Sequence, residues 1–355
     1  MRQVIAWTTA AKVAKGVIGT FPPEDLEVLR RTEQELGAFS SEALALVSAA
    51  SGLHLDTEVL PVSVVSRSQW VDANVRSMSS LLDPLAEKLT RNMPGPLGTL
   101  GAQASAVQFG LLFGWMSRRV LGQYDAALFA NGDGESEGST TPIYIVGSNI
   151  ITLEARFGFP REQFERWVLL HELTHKLQFE AVPWMVGYYR GLVSSLIENV
   201  NLGPGDVFEG LTRVVEELRV GRNPLRESGV AGLFVNDQQR AILARLGGLM
   251  SVLEGHGDLI MGRAAAGVIP EAERFEEALH QRRESPNLMA KIIGQLYGLD
   301  AKLRQYAAGK AFLEAIEEAG GHEAIAKLFE KSEYMPDLEE INTPDKWLIR
   351  VGVGV

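Results

Sequence analysis

The 355-residue chain has no cysteine. Disulfide frameworks and thiolate metal sites are thereby excluded, and any bound metal must be held by histidine and carboxylate. Histidine is itself scarce, with six in the chain. Basic residues are in deficit: 34 Lys and Arg stand against 45 Asp and Glu, a net charge of −11. A nucleic-acid binder would need a basic face, so no nucleic-acid partner is expected. No uncharged apolar run reaches the ~20 residues of a membrane span. Residues 1–7 are largely apolar, but Lys12 and Lys15 follow closely and no signal-peptide core or cleavage site is evident. The expectation is a soluble, cytoplasmic protein with no membrane span. A Gly-rich nucleotide-binding fingerprint is also missing.

What is present is a large apolar fraction, 46%, in a length that suits one large or two ordinary domains. Within it, residues 166–177 read RWVLLHELTHKL. His171-Glu172-x-x-His175 falls in a run from Glu162 to Glu180 that has neither Gly nor Pro. Trp167, Val168, Leu170 and Leu177 sit at helical spacings, so the segment is predicted to be a helix. Histidines four apart on a helix lie about 40° apart around its axis, one turn up, and can grip one ion from one side. Glu172 then stands where it can act as base toward a water whose pKa the metal lowers to ~7. This is the zincin signature.

The rest of the chain is read as mostly helical. Residues 22–51 predict one or two helices. Residues 57–66, rich in Val, predict a short strand or an extended connection. A helix follows over 68–91, with Ser68 as candidate cap. Residues 93–98 are a break. Residues 100–121 predict an apolar helix whose small residues, among them Gly110 and Gly114, permit close packing. The Gly/Ser/Asp/Glu stretch 131–141 is the candidate boundary between a helical N-terminal region, 1–135, and a metal-binding region, 136–355. Residues 142–147 are a strand signal, either an ordinary core strand or one that pairs with an extended substrate. Pro183 opens a further helix. Asp206 is placed to cap a helix to about 219, a loop follows over 221–232, and Asp237 is placed to cap a long helix.

That long helix carries Leu253-Glu254-Gly255-His256-Gly257-Asp258. Catalytic zinc usually takes three protein ligands, so a third must come from outside the H-E-x-x-H pair. Glu254 is the leading candidate, with His256 and Asp258 as alternatives. Glu254 and Asp258 are four apart and share a helix face; Asp258 could instead hydrogen-bond a ligand histidine and fix its tautomer. His256 would reach the site, as ligand or transition-state donor, only if its flanking glycines distort the helix. His54, His280 and His322 lie in polar contexts and are expected at the surface. Arg282, Arg283, Lys302, Gln305 and Tyr306 could line a cleft, although a solvated helix face is the plainer reading.

Taken together, these stretches resemble a bacterial family of zincin-like hydrolases whose name associates it with deazaflavin-cofactor biosynthesis. The resemblance runs over most of the chain. It rests on Trp70-Val71-Asp72-Ala73-Asn74, on Leu121-Gly122-Gln123-Tyr124-Asp125, on the His171-to-His175 motif, on Leu253-Glu254-Gly255-His256 and on Lys302…Gln305-Tyr306…Gly309. It implies a mainly α (α+β) fold, zincin-like around the H-E-x-x-H helix, with a small β-sheet beside that helix. The expected function is a zinc-dependent hydrolase, foremost a metallopeptidase that uses a metal-activated water with Glu172 as general base, its substrate a peptide or small molecule. His171, His175 and Glu254 would bind zinc, Glu172 and His256 are the catalytic candidates, and Asp258 would support a ligand histidine. The alternative is a non-catalytic scaffold or binding protein whose metal is structural or absent.

Overall fold

The computed structural model describes residues 5–18, 26–57, 60–90, 96–124, 141–198, 237–284 and 299–353. In chain order these form α1 (Trp7–Ile18), α2 (Leu26–Ser51), β1 (Val62–Val65), α3 (Arg67–Thr90), α4 (Pro96–Met116), β2 (Gly122–Tyr124) and β3 (Ile143–Val146). There follow α5 (Gly147–Phe157), α6 (Arg161–Glu180), α7 (Met185–Glu198), α8 (Asp237–Ala265) and α9 (Ala272–Glu284). The C-terminal part holds α10 (Leu299–Glu330), α11 (Leu338–Asn342) and α12 (Pro344–Val351). Among the described residues the fold is mainly helical with one small mixed sheet, as the sequence implies. The expected boundary stretch, 131–141, and the elements expected over 206–219 and 221–232 lie almost wholly outside the described residues.

The chain falls into two compact units, Met1–Val186 with Ile260–Glu276, and Gly187–Leu259 with Glu277–Val355. The division passes through α8 and α9, so each of these helices contributes to both units.

In the first unit, α1 lies against α4 at closest approach through glycine. A Cβ added at Gly110 or Gly114 would fall 2.6 or 2.5 Å from the Cβ of Val13 or Val17. The small residues therefore set the separation of these helices. The cap of α3 differs from expectation: it is Ser66, not Ser68. Ser66 Oγ accepts from Gln69 N–H (3.1 Å) while Gln69 Oε1 accepts from Ser66 N–H (2.8 Å). This reciprocal box satisfies two helix-end donors at once, which Ser68 inside the first turn could not do.

The sheet order is β1-β3-β2. β1 runs parallel to β3, pairing Val62 with Ile143 through Val65 with Val146. β2 is antiparallel to β3, pairing Gly122 with Ile145 and Tyr124 with Ile143. β3 is thus the central strand, and both of its edges are used. Residues 142–147 are the ordinary core strand of the two alternatives and do not present an edge to an extended substrate. Ile143, Ile145 and Val146 are fully buried, the apolar run expected of a strand covered on both faces. A buried polar junction holds the elements around the sheet. Arg67 Nε donates to Asn149 Oδ1 (2.7 Å), and Asn149 Nδ2 donates to the carbonyls of Ser117 (2.8 Å) and Val120 (2.6 Å). The start of α3, α5 and the turn from α4 to β2 are thereby tied together.

α6 is the axis of this unit. Thirteen of its twenty residues are buried, so it has no wide polar face. Five of the thirteen are polar, and each has a partner. Glu165 accepts from Thr32 Oγ1 (2.9 Å) and Arg161 Nε (2.9 Å). Glu172 accepts from Tyr124 N–H, Thr174 donates to the Leu170 carbonyl, Lys176 donates to Glu180 and Thr141, and Gln178 meets His175. A helix can be buried this deeply only when its polar groups are satisfied. An aromatic group of Phe159, Phe164, Trp167 and Phe275, with ring centroids 4.8–6.2 Å apart, covers its N-terminal half.

In the second unit, α8 and α10 cross at glycine. A Cβ on Gly255 would lie 2.5 Å from the carbonyl carbon of Gly309, and one on Gly309 would lie 2.0 Å from the Ser251 oxygen. The backbones touch because neither residue has a side chain. Phe312, Leu313, Ile316 and Trp347 are buried in the same unit, and Trp347 Nε1 donates to the Tyr334 carbonyl (2.6 Å). Asp337 caps α11 with a complete capping box to Glu340.

Candidate metal centre

Three turns of α6 carry two stripes with different tasks. One stripe holds His171 and His175. Their rings stand edge to face, 4.6 Å between centroids and 87° between planes. The two Nε2 atoms approach to 3.1 Å. His175 Nδ1 lies 2.9 Å from Gln178 Oε1. An amide oxygen only accepts, so the proton belongs on Nδ1, and Nε2 presents its lone pair. Gln178, one turn along the same helix, therefore sets the metal-binding tautomer of His175, the task commonly done by a carboxylate or carbonyl beside a ligand histidine.

These nitrogens suit a shared ion. Two atoms 3.1 Å apart, each at the ~2.0–2.1 Å of a zinc–histidine bond, subtend about 95–100° at the metal, an ordinary distortion of a tetrahedron. Among the described residues, one group of His, Asp or Glu offers three ligand atoms close together. It consists of His171, His175 and Glu254, whose ligand atoms all lie within 4.8 Å of one another. All three side chains are half-buried. The donor set, two imidazoles and a carboxylate with no thiolate, is a known catalytic zinc set.

The second stripe of α6 holds Glu172, Lys176 and Glu180, and it faces the β2 edge of the sheet. Glu172 is buried, and its Oε2 accepts from Tyr124 N–H at 3.1 Å. Gly122 makes the space it occupies: a Cβ there would fall 2.4 Å from Glu172 Cγ and 2.7 Å from Cδ and Oε1. Lys176 is completely buried. Its Nζ donates to Glu180 Oε1 (2.6 Å) and to the Thr141 carbonyl (3.0 Å), and it stands 5.5 Å from the Tyr124 ring centre. Burial pushes the Lys176 ammonium below its ordinary range, and Glu180 opposes that shift. Tyr124 Oη donates to the same Glu180 oxygen (3.1 Å).

The remaining sequence candidates are outside that group or outside the described side chains. His256 is fully buried in α8, its ring 4.8 Å from that of Phe329, and it is not part of the three-residue group. Asp258 lies one turn beyond Glu254 on α8 and is half-buried. His54 and His322 are exposed, as expected. His280, Arg282, Arg283, Lys302, Gln305 and Tyr306 lie on α9 and α10 where side chains are outside the description. Residue-by-residue reading missed Gln178, because its role depends on helix geometry rather than on the motif. It also gave no role to Asn74, Gly122, Gln123 and Tyr124, although these fall in the two stretches that carry the resemblance.

Residues 5–348 match the profile of the zincin-like metallopeptidases. The chain belongs to that family. The match spans nearly the whole chain, so both units fall within it. A crystal structure of a proposed hydrolase with a novel fold from Chloroflexus aurantiacus is also similar. It is 26% identical, superposes with a TM-score of 0.70, and aligns over 98% of this chain and 99% of its own. No curated protein matches the chain. Family membership bears out the zincin-like reading of the H-E-x-x-H helix. Among the described residues, no helix is long and apolar enough to cross a membrane.

Proposed function

We propose that this member of the family is a zinc-dependent peptidase. The observation that carries the reading is the group formed by His171, His175 and Glu254, next to a buried glutamate on the same helix as the two histidines. In the proposal these three residues hold the zinc. Of the alternatives for the third ligand, Glu254 is taken because its carboxylate lies with the histidine nitrogens, whereas the His256 ring is packed on Phe329. His256 accordingly receives no direct part in the reaction. Asp258 is assigned to support the ligand set from the next turn of α8.

Zinc, when bound, supplies Lewis acidity and lowers the pKa of a water toward neutrality. Glu172 takes a proton from the attacking water and returns it to the departing amine as the C–N bond breaks. A carboxylate has two oxygens and about four lone-pair positions, so the bond from Tyr124 N–H leaves acceptor capacity for that proton. Gln178 keeps the His175 proton on Nδ1 throughout.

The test is Glu172→Gln. This variant keeps the volume and an acceptor for Tyr124 but cannot take a proton. It is expected to retain zinc at the wild-type stoichiometry and to lose peptide hydrolysis by about 10²–10⁴-fold, the usual contribution of a general base. Hydrolysis at the wild-type rate would remove Glu172 from this role.

A further inference from the structure

β2 is three residues long, Gly122-Gln123-Tyr124, and low in strand propensity. Three sets of contacts nevertheless fix it. β3 pairs with it on one edge. From α3, Asn74 and Gln123 exchange a reciprocal amide pair: Asn74 Nδ2 donates to Gln123 Oε1 (3.2 Å) and Gln123 Nε2 donates to Asn74 Oδ1 (3.1 Å). From α6, one residue of the strand meets three successive turns. Tyr124 gives its main-chain N–H to Glu172, its ring lies beside Lys176 and its hydroxyl donates to Glu180. Glu172, Lys176 and Glu180 follow one another at intervals of four, so they form one line along the helix.

We propose that β2 is a clamp that orients the Glu172 carboxylate, with Tyr124 as its positioning residue and Gly122 as the opening it needs. This deepens the reading of Glu172 as the base and rests on that reading. A carboxylate on a flexible side chain has several rotamers, and a base works only when its oxygen is held toward the proton it removes. The clamp selects the rotamer in two ways. Tyr124 N–H binds one oxygen, and the absent side chain of Gly122 leaves room for Cγ and Cδ. The Asn74–Gln123 pair and the Tyr124–Glu180–Lys176 chain keep the strand at the right height along the helix. The described residues of the stretches 70–74 and 121–124 thus acquire one joint purpose, although none of them belongs to the three-residue group.

The first arm of the test needs neither substrate nor metal turnover. Amide hydrogen exchange at Tyr124 is followed in the full-length protein, with the Ile143 amide, which donates to the Pro61 carbonyl, as internal control. Glu172→Ala is expected to speed exchange at Tyr124 by about tenfold or more while Ile143 stays protected. Glu172→Gln, which keeps an acceptor, is expected to restore protection. The second arm uses Gly122→Ala, which must displace the Glu172 side chain while leaving the zinc ligands untouched. Its zinc content should equal wild type, its KM for a cleaved peptide should stay within about twofold, and its kcat should fall by about 10²-fold. Tyr124→Phe, which keeps the N–H but loses the Glu180 contact, should lower kcat by less. Unchanged exchange at Tyr124 in Glu172→Ala overturns the clamp, and so does an unchanged kcat in zinc-loaded Gly122→Ala. If the wild-type protein cleaves no peptide, the peptidase reading fails separately, and exchange at Tyr124 alone decides whether the clamp exists.

Discussion

Gly309→Ala should destabilise the protein although the position is helical. Helix propensity alone favours Ala over Gly by ~1 kcal/mol, so a reading of local sequence expects a gain. The crossing of α8 and α10 reverses the sign. The new methyl carbon would stand 2.0 Å from the Ser251 oxygen, 2.7 Å from its carbonyl carbon and 3.2 Å from its Cα. These are backbone atoms, and no side-chain rotation relieves them. An ordinary carbon–oxygen contact is ~3.3 Å, so the helices must part by more than an ångström along a packed seam. Overpacking of that kind costs ~1–3 kcal/mol and more where the backbone must move. The upper end applies here, which leaves a net loss of ~2 kcal/mol after the propensity gain. Gly262 supplies the control. It lies on α8 with nothing within 4 Å of an added Cβ, so Gly262→Ala should gain ~0.5–1 kcal/mol. Thermal and urea unfolding of the two variants side by side should move in opposite directions. A Gly309→Ala protein as stable as Gly262→Ala would refute the tight crossing.

Other consequences are equally direct. The Glu154 carboxyl is pushed up to about 7, first by burial and then by the charge of Glu165, with Arg161 opposing. Because the folded state holds this proton more tightly than the unfolded chain, the contribution is fully present below about pH 4.5 and is lost as pH rises through 7. Glu154→Gln should therefore melt near wild type at pH 5 and above it at pH 8. After discounting for solvent screening the gap is on the order of 1–2 kcal/mol; equal melting curves at both values would contradict the assignment. Lys176→Met should destabilise by ~3–5 kcal/mol because it leaves the Glu180 carboxylate without its buried cation. The double variant Lys176→Met/Glu180→Leu should regain much of that loss, and a double variant no more stable than the single one would count against the pairing.

The site helix was readable because its chemistry is local. Two histidines one turn apart on a helix can share one metal ion whatever surrounds them, so the pattern is visible in the sequence alone. β1 and β3 were readable for a similar reason, since Val and Ile runs suit a covered sheet whatever pairs with them. The pairing itself was not readable. That β3 is central rather than exposed depends on β2, and Gly122-Gln123-Tyr124 is too short, with Tyr124 its single strand-favouring residue, to announce it. The partners of β2 lie 48–56 residues away on α6 and 49 residues away on α3. α1 was missed because its buried face is built from Trp7, Ala10 and Ala14, too sparse an apolar pattern to stand out. The Ser66 cap was misplaced by two residues because either serine precedes the helical pattern, and only the return bond from Gln69 distinguishes them. The third ligand stayed open among Glu254, His256 and Asp258, because all three share two turns of one helix and only tertiary placement, which groups Glu254 with His171 and His175, separates it from the others.

The zinc-site assignment is tested most directly by metal content. The wild-type protein, Glu254→Ala and His256→Ala would be purified without added zinc, then equilibrated with zinc, and the bound metal measured per chain. Close to one zinc is expected in wild type and in His256→Ala, and a large loss in Glu254→Ala, which removes one of three ligands. Loss in His256→Ala with retention in Glu254→Ala would contradict the proposed ligand set. A wild-type protein that takes up no zinc would contradict the metallopeptidase reading and favour a scaffold built on the same helix.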